Sequence, residues 1–427
     1  MDTPVIEVRM WGRRVGAVAP DPRLGCYVFA YDPAWRRSGI ELAPISMPLG
    51  DTRSSFAFPD LAEASYKRLP GLLADALPDD FGNALIDAWM SSKGVEKRAI
   101  TTLDRLGYMG KRGMGALEFK PARGSHRESA EPIEMQRLVE AARTVIRGDL
   151  TGDVAAQAAL ANIIRVGTSA GGARAKAVIQ WNSQTNQIRS GQFDASPGFE
   201  HWLLKFDGLG KDKDLGASQD YGRIEFAYSL MARDAGIEIS DCRLLEENGR
   251  AHFMTRRFDR DAGNVRHHVQ TLCAMSHMDY KKLGTNSYAQ LFDAASRLKR
   301  PYSDLEEIFR RMAFNVMGRN CDDHSKNFSF RLKRGGNWEL APAYDVTFAH
   351  SPTSKWTHQH LMSVNGKFKD FTKGDLLEVA DRFGVGTAPR VLEHVCDAIR
   401  AWRKFAKEAG VPIKPTQEIE AFLLPLT

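Results

Sequence analysis

The chain has 427 residues, 43% hydrophobic and 26% charged, enough apolar side chains for two or three packed domains; this composition excludes a disordered chain. Five scattered cysteines, Cys26, Cys242, Cys273, Cys321 and Cys396, never in CxxC spacing, exclude a disulfide framework or zinc cluster and predict reduced, buried thiols. A net charge of +6 and a pI near 9.0 make nucleic acid, or a complex touching it, an expected partner. With no stretch near the roughly 18–20 apolar residues of a membrane helix and no signal-peptide core in MDTPVIEVRMWGRR, a cytoplasmic protein without a membrane partner is expected.

In chain order, residues 5–18 set Ile6, Val8 and Met10 against Glu7, Arg9 and Trp11, which predicts a half-buried strand opening a small β-rich domain. LPGLLADALPDDFG and LDRLGYMGKRGMGALEF continue that domain, and PARGSHRESAEP reads as a polar linker. IEMQRLVEAARTVI and GDVAAQAALANII predict helices, followed by the small-residue loop GTSAGG, the strand pattern AKAVIQW and a second strand, HWLLKF. YGRIEFAYSLMARDAGIEI predicts a helix closed by Gly236, and Asn248-Gly249 marks a hairpin. Ser303 and Glu306 stand in capping-box spacing before a helix that sets Leu305, Phe309, Met312 and Val316 on one face and stops at Gly318. Amphipathic segments from about 373 to 409 predict a mostly helical C-terminal part.

The chemistry concentrates in GRNCDDHSKNFSF, residues 318–330, directly after that helix. Asp322 and Asn327 have the five-residue spacing with which a kinase catalytic loop places an aspartate against the acceptor hydroxyl and an asparagine on magnesium. Downstream, Asp345 ends the strand-like run NWELAPAYD, where a second metal-binding carboxylate is needed, in YDV rather than DFG. Upstream, Thr168, Ser169, Ala170, Gly171 and Gly172 offer unobstructed backbone N–H groups to phosphate, Lys205 sits on a strand as a phosphate-pairing lysine should, and Glu225 on the next helix could hold it.

Singly, each feature has an ordinary alternative: a turn aspartate, a flexible linker, a solvated strand-end lysine. His324 reads equally as a general base or as a loop histidine orienting the backbone, and Lys326 as neutralising transferred phosphate. His358 and His360 would share a face on a strand but lack a third metal ligand, and basic runs such as Arg310-Arg311 read as solvated faces. Two further readings compete with a protein kinase: a small-molecule phosphotransferase, and a DNA-bound corepressor using an inactive kinase scaffold.

VGTSAGGARAKA, HWLLKFDG, HFMTRRFDR, RNCDDHSKNFSF and LAPAYDVTFA, with the two N-terminal segments above, resemble the HipA-type toxins, serine/threonine kinases of bacterial type II toxin-antitoxin pairs, over nearly the whole chain. The resemblance implies an α+β fold: a two-lobed protein-kinase-like core with a small β-rich N-terminal domain and a mostly helical C-terminal lobe. The expected division is 1–122, 133–262 and 263–427. The resemblance also implies Asp322 as catalytic base, Asn327 and Asp345 as magnesium ligands and Lys205 on the phosphates of ATP. It implies a hinge at 255–258, where adenine is met near Arg256 and Phe258, and autophosphorylation at Ser169. The implied partners are a protein substrate, with aminoacyl-tRNA synthetases among the family's targets, a helix-turn-helix antitoxin, and operator DNA through that antitoxin.

Overall fold

A computed structural model describes residues 4–122, 133–134, 137–138, 175–207, 220–247 and 249–426. The segment GTSAGG, Asn248 and most of the linker and of the two helices expected before residue 165 lie outside the described residues. The chain divides into two compact units, the first comprising Met1–Gly210, Thr255–Gln270 and Arg331–Asn337, the second Lys211–Met254, Thr271–Phe330 and Trp338–Thr427.

The first unit opens with β1 (Ile6–Met10) and β2 (Arg13–Asp21), so the single strand expected over 5–18 is a hairpin. The reason is local: Trp11 and Gly12 both take positive φ, 52° and 77°, the backbone of a tight hairpin turn. The Trp11 indole is fixed by donating to the Arg266 carbonyl at 2.7 Å. With β3 (Cys26–Tyr31) and β4 (Leu117–Lys120) these strands form an antiparallel sheet in the order β3-β2-β1-β4, and Ile6, Val8 and Met10 face its core as the alternation requires.

The two segments expected to continue this domain contribute helices to it. Asp79 caps α1 (Asp80–Ser92) by accepting from the Gly82 N–H, and a Thr101–Asp104 capping box starts α2 (Thr102–Met109), whose Leu103, Leu106 and Met109 are buried. The unit continues with β5 (Lys176–Trp181), β6 (Ile188–Ser190) and β7 (Glu200–Lys205), paired antiparallel with β5 in the middle, as its uninterrupted burial demands.

A buried ionic knot ties two parts of the first unit together. Asp259 is fully buried and accepts from Arg257 at 2.8 and 2.7 Å, from Arg260 at 2.7 Å and from the Gly115 N–H at 2.7 Å. Arg260 also donates to the Gly115 carbonyl at 2.9 Å, so residues 113–115, just before β4, are held against the segment that follows residue 256.

In the second unit, α3 (Tyr221–Asp234) closes at Gly236 (φ 80°), and β8 (Cys242–Glu247) and β9 (Arg250–Arg256) are neighbouring strands joined through Gly249 (φ 77°), as expected. Gly222, in the first turn of α3, passes so close to residues 251–253 that a Cβ there would stand 2.0 Å from the Ala251 carbonyl oxygen. Gly222→Ala is therefore expected to cost about 1–3 kcal/mol or more and to lower the thermal midpoint; an unchanged midpoint would show that the helix can retreat freely.

After α4 (Tyr288–Arg297) comes α5 (Tyr302–Met317), with Phe309, Met312 and Val316 buried and Gly318 at its end. The expected Ser303–Glu306 capping box does not form. Proline at position 301 is the N-cap, which puts Ser303 inside the first turn and leaves Glu306 to accept from Arg310 and Thr387, each at 2.6 Å. Nor is Arg310-Arg311 a solvated face. Arg311 is 5% exposed and donates to Glu307 at 2.8 Å and to the Ala341 carbonyl at 2.9 Å, because the helical repeat turns it inward one turn after Glu307.

Four helices, α6 (Lys373–Phe383), α7 (Ala388–Arg400), α8 (Trp402–Glu408) and α9 (Ile413–Glu420), complete a helical C-terminal part. At its centre Tyr228 packs against Trp402 and Phe314, with ring centroids 5.2 and 6.2 Å away, and donates its hydroxyl to the Gly318 carbonyl. The architecture is the expected α+β class, with a β-rich N-terminal region and a helical C-terminal part. All five cysteines are buried and outside any disulfide, and among the described residues no helix is long and apolar enough to cross a membrane.

Candidate active site

The loop after α5 begins with a sharp reversal. Arg319 takes φ 54°, Asn320 is buried, and the chain runs through Asp322 to a short 3-10 turn at Ser325–Asn327 before β10 (Ser329–Leu332). The Asp322 side chain is 51% exposed. Asn327 folds back and donates its amide to the Asp322 carbonyl at 2.8 Å, so the five-residue spacing closes the loop on itself through the amide nitrogen and not the amide oxygen. His324 Nε2 stands 4.0 Å from Asp322 Oδ1, and its ring meets Tyr280 edge-on at 5.4 Å. Lys326 places its ammonium 4.9 Å from the centroid of that same Tyr280 ring, a cation–π contact beside the aspartate.

Asp345 does not end a strand. The strand β11 (Trp338–Leu340) stops before Pro342, which has no N–H to extend a ladder, and Asp345 lies beyond it with φ 52°. Aspartate tolerates this left-handed conformation better than most residues, and such backbone is held only where its surroundings enforce it. Here Tyr344 donates its hydroxyl to the Lys326 carbonyl at 2.7 Å, and Asn320 reaches toward the Asp345 carbonyl at 3.5 Å. Asn327, Asn320, Tyr344 and Val346 line one small pocket in the second unit.

The oxygens of Asn327 and Asp345 are hard donors suited to magnesium, which typically takes one or two protein oxygens and completes its shell with phosphate and water. Among the described residues no group of three or more His, Cys, Asp and Glu could cage a metal. His358 and His360 are not on a strand. The His358 Nδ1 faces the Ser354 carbonyl at 2.9 Å, and His360 is buried against Asp323.

Lys205 ends β7 in the first unit, 8% exposed, directly opposite the still more buried Lys176 of β5, which the sequence did not single out. Glu225 is buried on α3 in the second unit. In the expected hinge, Arg256 ion-pairs with Glu200 at 3.2 Å, the Arg257 N–H donates to the His201 carbonyl, and the Phe258 carbonyl accepts from Arg331 at 2.7 Å. Thr168, Ser169, Ala170, Gly171 and Gly172 lie outside the described residues.

One residue of the site escapes the sequence reading, and its partner His360 is read there only as half of a possible metal pair. Asp323, next to Asp322, is fully buried and accepts from Tyr288 at 2.7 Å, His360 at 2.9 Å and the Leu361 N–H at 2.8 Å. Burial alone would lower the pKa of His360; the Asp323 carboxylate, helped by Cys321, outweighs it and holds the imidazolium up to about 10.

Residues 168–404 match the family description "HipA-like C-terminal domain", and residues 6–120 match "HipA N-terminal domain". The chain belongs to the HipA family. Over 367 residues it is 21% identical to the "Serine/threonine-protein kinase toxin HipA" of Shewanella oneidensis, covering 81% of this chain and 75% of that protein. It is also 28% identical over 190 residues to the "Putative kinase Y4mE" of Sinorhizobium fredii, a match spanning 42% of this chain and only 39% of that relative's length. Among solved structures, the Shewanella oneidensis complex of HipA with HipB and operator DNA aligns over 97% of this chain and 94% of that one, with a TM-score of 0.69 at 18% identity. That likeness establishes the HipA fold, and HipA relatives carry kinase names.

Proposed function

We propose that this HipA-family chain is an Mg-ATP-dependent serine/threonine protein kinase and the toxin of a type II toxin-antitoxin pair, which slows translation and growth by phosphorylating a protein. The observation that carries this reading is the loop of Asp322 to Asn327: it presents one exposed carboxylate, folds its asparagine back beneath it, and is tied through Lys326 to the residue preceding Asp345. In this reading Asp322 accepts the proton of the acceptor hydroxyl as that oxygen bonds to the γ-phosphorus and the bond to the ADP oxygen breaks. His324, with its Nε2 4.0 Å from Asp322 Oδ1, would help orient the loop around the base. Magnesium, held by Asn327 and Asp345, would offset the charge of the phosphates.

Lys205 would pair with those phosphates, and Thr168 to Gly172 would cradle them through backbone N–H groups. Arg256 and Phe258 belong to the segment that would meet adenine. Ser169 would be the autophosphorylation site, where added negative charge would repel the phosphates of ATP and limit activity. The β-rich domain would occupy 1–122, the ATP-binding lobe 133–262 and the helical catalytic lobe 263–427. The HipB and operator DNA of the Shewanella complex support a helix-turn-helix antitoxin and antitoxin-borne operator DNA as partners of this basic chain, and an aminoacyl-tRNA synthetase is the kind of protein target expected. The site of action would be the cytoplasm.

Titration calorimetry tests the metal assignment. Magnesium should tighten ATP binding to the wild type, and Asp345→Asn should weaken magnesium-dependent binding at least about tenfold. Binding that is equally tight in EDTA would remove Asp345 from the metal site.

A further inference from the structure

We propose that the buried Asp323–His360 pair is the positioning element of the Asp322–Asn327 loop, setting where Asp322 presents its carboxylate; the role rests on the kinase reading above. Consecutive aspartates here face opposite environments, Asp322 half exposed and Asp323 with no exposed surface. Because they are adjacent in the chain, any displacement of the anchored residue is passed directly to the presented one. The anchor is saturated: Tyr288, His360 and the N–H groups of Leu361 and Met362 all donate to the Asp323 carboxylate, the last at 3.4 Å. His360 itself has no exposed surface, and its ring packs edge-on against Phe371 at 5.2 Å, which fixes the direction from which it donates.

The same network reaches the other half of the site. Tyr288 accepts from Asn315 at 3.0 Å, Asn315 accepts from Asn320 at 3.0 Å, and Asn320 approaches the Asp345 carbonyl at 3.5 Å. One buried polar chain, entirely within the second unit, thus runs from His360 through the base of the loop to the backbone of Asp345. Breaking a buried pair by removing its cation leaves a carboxylate that must find water, and the route to water carries the loop with it.

The test is hydrogen–deuterium exchange and steady-state kinetics on the full chain, wild type beside His360→Gln and the neutral pair Asp323→Asn/His360→Gln. In His360→Gln, amides of residues 319–328 should exchange at least about tenfold faster while α5 and α7 keep their protection. The turnover number should fall at least about tenfold with the KM for ATP within about threefold, the signature of a misplaced group rather than a lost binding site. The neutral pair, which keeps a hydrogen bond without a buried charge, should recover loop protection and part of the turnover. Wild-type exchange in the loop of His360→Gln, or acceleration spread evenly over the chain, would overturn the proposal. If His360→Gln does not fold, the neutral pair decides: a folded pair with an unprotected loop also overturns it. Exchange needs neither ATP nor acceptor, so a wild type without phosphate transfer would defeat the kinase reading and leave the exchange result to judge the pair.

Discussion

Asp322→Asn is expected to slow phosphate transfer by roughly 10²–10⁴-fold while leaving ATP affinity within about threefold. The substitution keeps the size of the side chain and the Asp322 carbonyl that accepts from Asn327, so the loop retains its closure. What it removes is the acceptor for the substrate proton. The neighbouring carboxylate cannot take over, because Asp323 is fully buried and its oxygens are occupied by Tyr288, His360 and backbone N–H groups. His324 offers a nitrogen near Asp322, but at 4.0 Å it lies beyond a direct hydrogen bond. Single-turnover measurements with saturating ATP separate the chemical step from binding; a turnover within about threefold of the wild type would remove Asp322 from the reaction.

Asp259→Ala should be the most damaging substitution for stability, at about 3–5 kcal/mol. The carboxylate lies between Arg257 and Arg260, both within 2.8 Å, and has no exposed surface. Burial acts to raise its pKa, but Arg257 and Arg260, with the Gly115 N–H, outweigh burial and hold the carboxyl well below the usual carboxylate range. Alanine would leave two buried guanidinium groups facing one another without a counter-charge and would release residues 113–115 from the segment after β9. Urea unfolding of the variant should show the loss with folding of the remaining chain weakened, and Asp259→Asn should lose less because it keeps hydrogen bonds to the arginines. A loss below about 1 kcal/mol for the alanine variant would mean that the knot contributes little beyond its packing.

The elements that the sequence made legible are those whose signal is local. The alternation of Ile6, Val8 and Met10, the stop of α3 at Gly236, the Gly249 turn and the apolar face of α5 all rest on residues within one or two turns of one another. The elements that were misread depend on distant partners or on the exact starting residue of an element. Arg311 looks like half of a basic run until Glu307 and the Ala341 carbonyl are placed around it. Pro301 takes the cap position that Ser303 was expected to fill, and Pro342 stops the strand that was expected to reach Asp345.

The candidate site divides in the same way. The spacing of Asp322 and Asn327 is a local fact, and the hydrogen bond between them follows from it. Nothing local distinguishes Asp322 from Asp323. Only His360, 37 positions downstream, and Tyr288, 35 upstream, mark the second aspartate as the buried one. His360 was weighed as a metal ligand because its partner carboxylate is invisible at that separation in the sequence.

The proposed kinase is tested most directly by incubating purified, unphosphorylated protein with magnesium and γ-labelled ATP, wild type beside Asp322→Asn, and mapping the label by mass spectrometry. Label on Ser169 in the wild type and none in the variant is the predicted result. Label that persists undiminished in Asp322→Asn, or a wild type that binds ATP yet labels neither itself nor any added protein, would contradict it.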